Sequence, residues 1–201
     1  MTANRILLPL FIAVLAGACA SQPKVPPPIE LGGFRFLLPI ETDKDKDTRK
    51  SWVVARQTAD QFVVGKPGNF TGDTLSLQGT LVKLPQLTSD RAFREHVEAA
   101  QRKALDTLRF RLIKFEVISQ PMQDQVCALS HMSAADITGA GPTAPAVNTM
   151  LDTLTVTCPH PNNQTRGISV TYSHGYFPED ADPQFFKSGM ALLEGLRFDE
   201  L

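Results

Sequence analysis

Gly167-Ile168-Ser169-Val170-Thr171-Tyr172-Ser173-His174 alternates without a break, with Ile168, Val170 and Tyr172 in one set and Ser169, Thr171 and Ser173 in the other. Successive side chains on a β-strand point to opposite faces, so this period of two predicts a strand in a sheet with one covered face. Shorter runs of the same kind occupy residues 34–38, 52–56, 62–65 and 75–84, and a second set lies at 112–119, 125–134 and 150–158. Each is bounded by turn-forming residues, such as Lys66-Pro67-Gly68-Asn69, which is the pattern of an antiparallel sheet. The sign-alternating stretch Asp43-Lys44-Asp45-Lys46-Asp47 reads as a solvated turn rather than an ion site.

Between the two sets of strands the period changes. Over residues 90–108, Phe93, Val97, Ala100, Ala104 and Leu108 recur at spacings of three and four, opposite Arg91, Arg94, Glu95, Glu98, Arg102 and Lys103. That spacing predicts an amphipathic helix with Ser89 as its cap and Arg91–Glu95 and Glu98–Arg102 as pairs one turn apart. A second helix is expected near the C-terminus, with Asp182 as cap, Pro183 at the first helical position and Phe185, Phe186, Met190, Leu193 and Leu196 at helical spacing. The connection from 136 to 149, with Gly139, Gly141, Pro142 and Pro145, reads as a loop. Strands, helix, strands and helix together predict an α+β fold: a two-layer sandwich of antiparallel β-sheet packed against two main α-helices.

The chain begins Met-Thr-Ala-Asn-Arg5, followed by an apolar run from Ile6 to Leu15 and then Ala16-Gly17-Ala18-Cys19. A charged start, an apolar stretch and small residues form a secretory signal, and the run is shorter than the roughly 20 residues of a membrane-spanning helix. The cysteine directly after those small residues resembles the lipobox of bacterial lipoproteins. Ala16 stands where that family usually has leucine, with Leu15 one position earlier. The resemblance implies that residues 1–18 are a signal peptide, that Cys19 carries the lipid, and that Ala20, not being aspartate, permits sorting to an outer membrane facing the periplasm. Ordinary cleavage after Ala18, leaving Cys19 as a free thiol, is the alternative. Residues 20–29 hold Pro23, Pro26, Pro27 and Pro28, so residues 19–30 are expected to form a stiff tether and residues 31–201 a single domain.

Loss of Arg5 with the signal leaves 19 basic and 21 acidic residues, a net charge of −2, which is no footprint for nucleic acid. Once Cys19 is assigned to lipid, Cys127 and Cys158 remain as an even pair in an oxidising compartment and are expected to form a disulfide. A metal site is the competing reading, since His131 lies four residues after Cys127 and His160 two after Cys158, but neither is a usual zinc spacing.

At the level of element order, the domain also resembles the PsbP-like α/β sandwich. The likeness rests mainly on Phe185-Phe186-Lys187-Ser188-Gly189-Met190 through Leu196-Arg197-Phe198, an aromatic-rich helix ending in an apolar Arg-Phe. It concerns element order and carries no functional residue.

No catalytic signature is present. G-x-S-x-G, H-E-x-x-H, a phosphate-binding glycine loop and a calcium loop are all missing from the sequence. Ser21-Gln22-Pro23-Lys24 matches S-x-x-K but falls in the tether, where no helix can hold the serine and lysine together. His96 lies on the polar side of its helix. A metal site of His131, His160 and His174 can be written down, as can a cation site at Glu179, Asp180 and Asp182, although acidic residues before a helix are favoured by its dipole alone. No cofactor is expected. These observations favour a non-enzymatic envelope lipoprotein that binds a protein or cell-wall partner. An envelope enzyme would need His131, His174 and Glu179 to converge in a cleft, and a metal or redox role would act through Cys127 and Cys158.

Overall fold

The computed structural model describes residues 27–38, 52–68, 73–138 and 149–199. In chain order, the first part forms β1 (Ile29–Leu31), β2 (Phe34–Phe36), β3 (Val53–Gln57), β4 (Gln61–Pro67), β5 (Thr74–Lys83) and α1 (Asp90–Ala104). The second forms β6 (Phe110–Met122), β7 (Gln125–Asp136), β8 (Met150–His160), β9 (Asn163–Tyr176), a single 3-10 turn (Pro178–Asp180), α2 (Phe185–Leu193) and β10 (Leu196–Phe198). Strands β3-β4-β5-β9-β8-β7-β6 build one seven-stranded antiparallel sheet, and β1-β2-β10 a small second one.

Two tight turns show how the sequence closes these strands locally. Gly32 and Gly33 both have positive φ (49° and 91°) between β1 and β2, the backbone a two-residue hairpin needs. Gln123 and Asp124 take the same left-handed conformation (47° and 65°) between β6 and β7.

The quoted alternation is realised in full. Ile168, Val170, Tyr172, His174 and Tyr176 of β9 are all buried. They share a face with Leu154 and Val156 of β8 and Leu129 of β7, because Leu154 pairs with Tyr172, and Val156 pairs with both Val170 and Leu129. This face is covered by α2 and the small sheet, in one core that includes Phe34, Phe36, Phe62, Phe185 and Leu196. Helix α2 comes close at Gly189, where an added Cβ would stand 2.7 Å from Tyr172 Cδ1 and 3.0 Å from Leu154 Cδ2.

The two-layer sandwich with two main helices is overturned. The described residues are dominated by strand, and the two helices lie on opposite faces of the large sheet: Phe93 and Val97 of α1 pack with Ala128, whose neighbours Cys127 and Leu129 belong to the other core. The cause is width. Seven strands at about 4.8 Å span roughly 30 Å, whereas a helix covers about 10 Å. The nine-residue α2 cannot cover one face alone, and a second β-layer completes it. Residues 29 and 30, which the sequence pattern placed before the domain, belong to the fold: Ile29, 4% exposed, pairs with Phe36.

Cys127 and Cys158 form a disulfide across β7 and β8, with Cα atoms 4.4 Å apart, continuing the register set by Ala128–Thr157. That separation is the one at which directly opposite, non-hydrogen-bonded residues of antiparallel strands meet.

Candidate functional site

At one end of the large sheet, on the face of α2, polar and aromatic side chains gather around His174. Its Nε2 is bonded to Asp73 Oδ1, and both residues are buried. The imidazole stacks on Tyr176 at 4.6 Å and on Phe185 at 6.1 Å. Across the β8–β9 register from His174 is Asp152, whose Oδ2 accepts a 2.8 Å hydrogen bond from Tyr176 OH. Burial, reinforced by that carboxylate, pushes the Tyr176 hydroxyl well above the ordinary tyrosine value. Burial also pushes Tyr172 up to about 12. His174 Nδ1 and Asp152 Oδ1 are buried without a hydrogen-bond partner among the described residues.

A carboxylate holding one imidazole nitrogen is half of a nucleophile-activating relay, which needs a hydroxyl or thiol on the other nitrogen. No such group meets His174 Nδ1 among the described residues. The flanking Ser173 belongs to the opposite face of the sheet by strand alternation. The cluster therefore ties the entry of β5 to β9 and orients the imidazole.

The three histidines suggested as metal ligands are not brought together. His131 and His174 flank Phe185 from β7 and β9, with His131 6.2 Å from that ring. His160 sits among the small sheet's residues, where its Nε2 lies 3.2 Å from Gly33 O and 3.1 Å from Asp199 O and its ring packs edge-on against Phe34 at 5.1 Å. It fastens the small sheet to the end of β8. Among the described residues no three His, Cys, Asp or Glu side chains are placed to hold a metal ion. Glu179 and Asp180 belong to the 3-10 turn, and Glu179 is exposed. Asp182 Oδ1 accepts from Gln184 N at 2.8 Å, one turn before α2 begins at Phe185 rather than at Pro183. His96 is half-buried on α1. Cys19, the 43–47 run and residues 139–148 lie outside the described residues; at the base of that last segment, Asp136 N donates to Thr149 O at 2.8 Å.

Sequence reasoning missed a cavity of about 270 Å³ between the C-terminal half of α1 and the sheet. The helix ends at Ala104, Leu108 is 90% exposed, and Ala100 and Ala104 are exposed as well. The stripe turned to the sheet is instead Phe93, Val97, Gln101 and Leu105, at a strict spacing of four. Gln101 Nε2 is buried and lacks a hydrogen-bond partner among the described residues. Gln101, Leu105, Met132, Leu151, Thr155 and Thr171 line the space. The signal was a glutamine in line with Phe93 and Val97, which a stripe drawn through the alanines passed over.

No protein-family model matches the chain, and no curated protein matches it. Among solved structures, it is similar to the human StarD13 (DLC2) lipid transfer and protein localization domain at 11% identity and a TM-score of 0.35, covering 76% of this chain and 89% of that one. A crystal structure from Bacteroides thetaiotaomicron has 11% identity and a TM-score of 0.38, covering 84% of this chain and 46% of that one. Human StAR-related lipid transfer protein 5 has 12% identity and a TM-score of 0.30, covering 75% and 84%. Likenesses of this size transfer neither a site nor a ligand.

Proposed function

We propose that this protein is an envelope lipoprotein, held in an outer membrane through Cys19, whose β-rich domain is a non-enzymatic module that binds a second envelope protein. Residues 20–28 separate the anchor from β1 and, as a proline-rich extended segment at about 3.1 Å per residue, place the domain about 30 Å from the bilayer.

The observation that carries the binding role is the character of the two strands, β3 and β6, that end the large sheet among the described residues. On β6, Ile113 is 58% and Ile118 49% exposed; on β3, Val53 is 63% and Val54 50% exposed. Aliphatic side chains on an edge strand are a template for another chain. The Lys114–Glu116 ion pair (3.0 Å) and Pro121 sit on the same strand and disfavour indiscriminate strand addition, leaving recognition to a matching partner.

Crosslinking of the wild-type protein in cells, followed by mass spectrometry, tests this. One dominant envelope protein is expected, with capture reduced by Ile113→Glu and lost with Cys19→Ala, which should move the protein to the soluble fraction. A Cys19→Ala protein that stays in the membrane overturns the anchor; no reproducible partner overturns the protein-binding role.

A further inference from the structure

We propose that the cavity beneath α1 is a binding site for a small neutral amphiphile, a medium-length hydrocarbon chain headed by an amide or ester carbonyl. This goes beyond the protein-binding role and does not depend on it.

The site arises from the way α1 meets the sheet. Its first half buries Phe93 and Val97 against Leu84 and Ala128. One turn further along the same stripe the chain places Gln101 where a large apolar side chain would fill the gap. The helix then stops, with Leu105 in an extended conformation and its N–H bonded to Gln101 O at 3.1 Å. The floor below is Met132, Leu151 and the threonines of β8 and β9. The hydroxyls of Thr155 and Thr171 bond each other at 2.9 Å, so they are satisfied without a ligand. The amide nitrogen of Gln101 is not, and a buried donor without an acceptor is costly. A carbonyl oxygen on a bound molecule would supply that acceptor.

Size and charge narrow the ligand. At about 270 Å³ the cavity lies just below the range of about 300 to 1,000 Å³ typical of sites for drug-sized molecules. Its titratable lining residue is Asp106, which repels a carboxylate. Arg102 bonds Glu98 at 2.9 Å and lies over Phe115, and Arg109 bonds Asp136 at 2.9 Å. A free fatty acid therefore meets the Asp106 carboxylate in the lining, whereas a neutral head meets Gln101.

The test uses the full-length lipidated protein in membranes and a clickable, diazirine-bearing decanamide. Adducts are expected on the peptides carrying Met132 or Leu151, competed by decanamide and not by decanoate. Ala104→Trp, which places a large ring at an exposed position of the rim, should lower labelling at least tenfold. Gln101→Leu should weaken competition by decanamide roughly fivefold, the worth of one neutral hydrogen bond. Native-like resistance to proteolysis identifies variants that remain folded. Adducts scattered along the chain, labelling unchanged in a folded Ala104→Trp protein, or equal competition by decanoate would each overturn the proposal.

Discussion

His174 and Asp73 stand 101 positions apart in the chain and are hydrogen-bonded in the interior, His174 Nε2 to Asp73 Oδ1, beneath the stacked rings of Tyr176 and Phe185. His174→Phe preserves the stack and removes the nitrogen that meets the carboxylate. Removing one hydrogen bond to a buried carboxylate costs about 1 to 3 kcal/mol, and urea denaturation should show a drop of that order. A loss below about 0.5 kcal/mol would mean that this bond does not hold the two strands together.

The Cys127–Cys158 disulfide closes a loop with a sequence separation of 31. In the chain-entropy description, such a loop is worth about 3 to 4 kcal/mol, acting on the unfolded chain. The double variant Cys127→Ala/Cys158→Ala should fall by at least that amount, because both side chains are fully buried and their loss also opens space. Guanidinium midpoints of the oxidised wild type and the double variant measure it.

Gly189→Ala tests the approach of α2 to the sheet by the sign of its effect. In an exposed helix the change gains about 1 kcal/mol. Here the new methyl meets Tyr172 at 2.7 Å and Leu154 at 3.0 Å, and overpacking costs about 1 to 3 kcal/mol. Thermal denaturation should show a net loss of about 1 kcal/mol; a gain would mean that α2 stands further from β8 and β9.

Tyr172 supplies an alkaline signature. Its folded value is raised by burial to about 12, so the folded state favours the neutral phenol. Stability from this group is complete below the unfolded value of about 10 and is lost as pH rises toward the folded one. Between pH 10 and 12 the wild type should lose about 2 to 3 kcal/mol more than Tyr172→Phe, as read by urea denaturation across that range.

Asp136 gives the acid counterpart. Thr138 donates to its carboxylate through hydroxyl and N–H, and Arg109 adds to this, holding it below the usual aspartate value. Stability from a lowered carboxylate is present above the unfolded value of about 3.9 and is lost as pH falls through the folded one. Asp136→Asn should be less stable than wild type at neutral pH and lose less on acidification below about pH 4, measured by thermal denaturation at stepped pH.

Much of the local structure could be read directly. The alternation at 167–174 lies inside β9, Ser89 caps α1 by accepting from Ala92 N at 3.2 Å, and Arg91–Glu95 and Arg102–Glu98 pair at 2.8 and 2.9 Å. β1 and β10 escaped notice because three residues hold too few repeats to show a period, and they are strands only because β2 lies between them. The candidate site was half legible: His174 stood out as a titratable residue on a strand. Asp73, Asp152 and Tyr176 did not, because nothing local marks a carboxylate that will be buried by a strand a hundred residues away.

What the sequence determined by itself is what depends on neighbours a few positions apart: the period of the long strands and the cap and surface pairs of α1. Only the tertiary structure decided which face each helix covers, that His160 fastens the small sheet, and that Gln101 rather than Ala104 looks toward the sheet. Backbone geometry imposes the first group on any short stretch. The second depends on which surfaces remain to be covered once seven strands have paired, and that sum is taken over the whole chain.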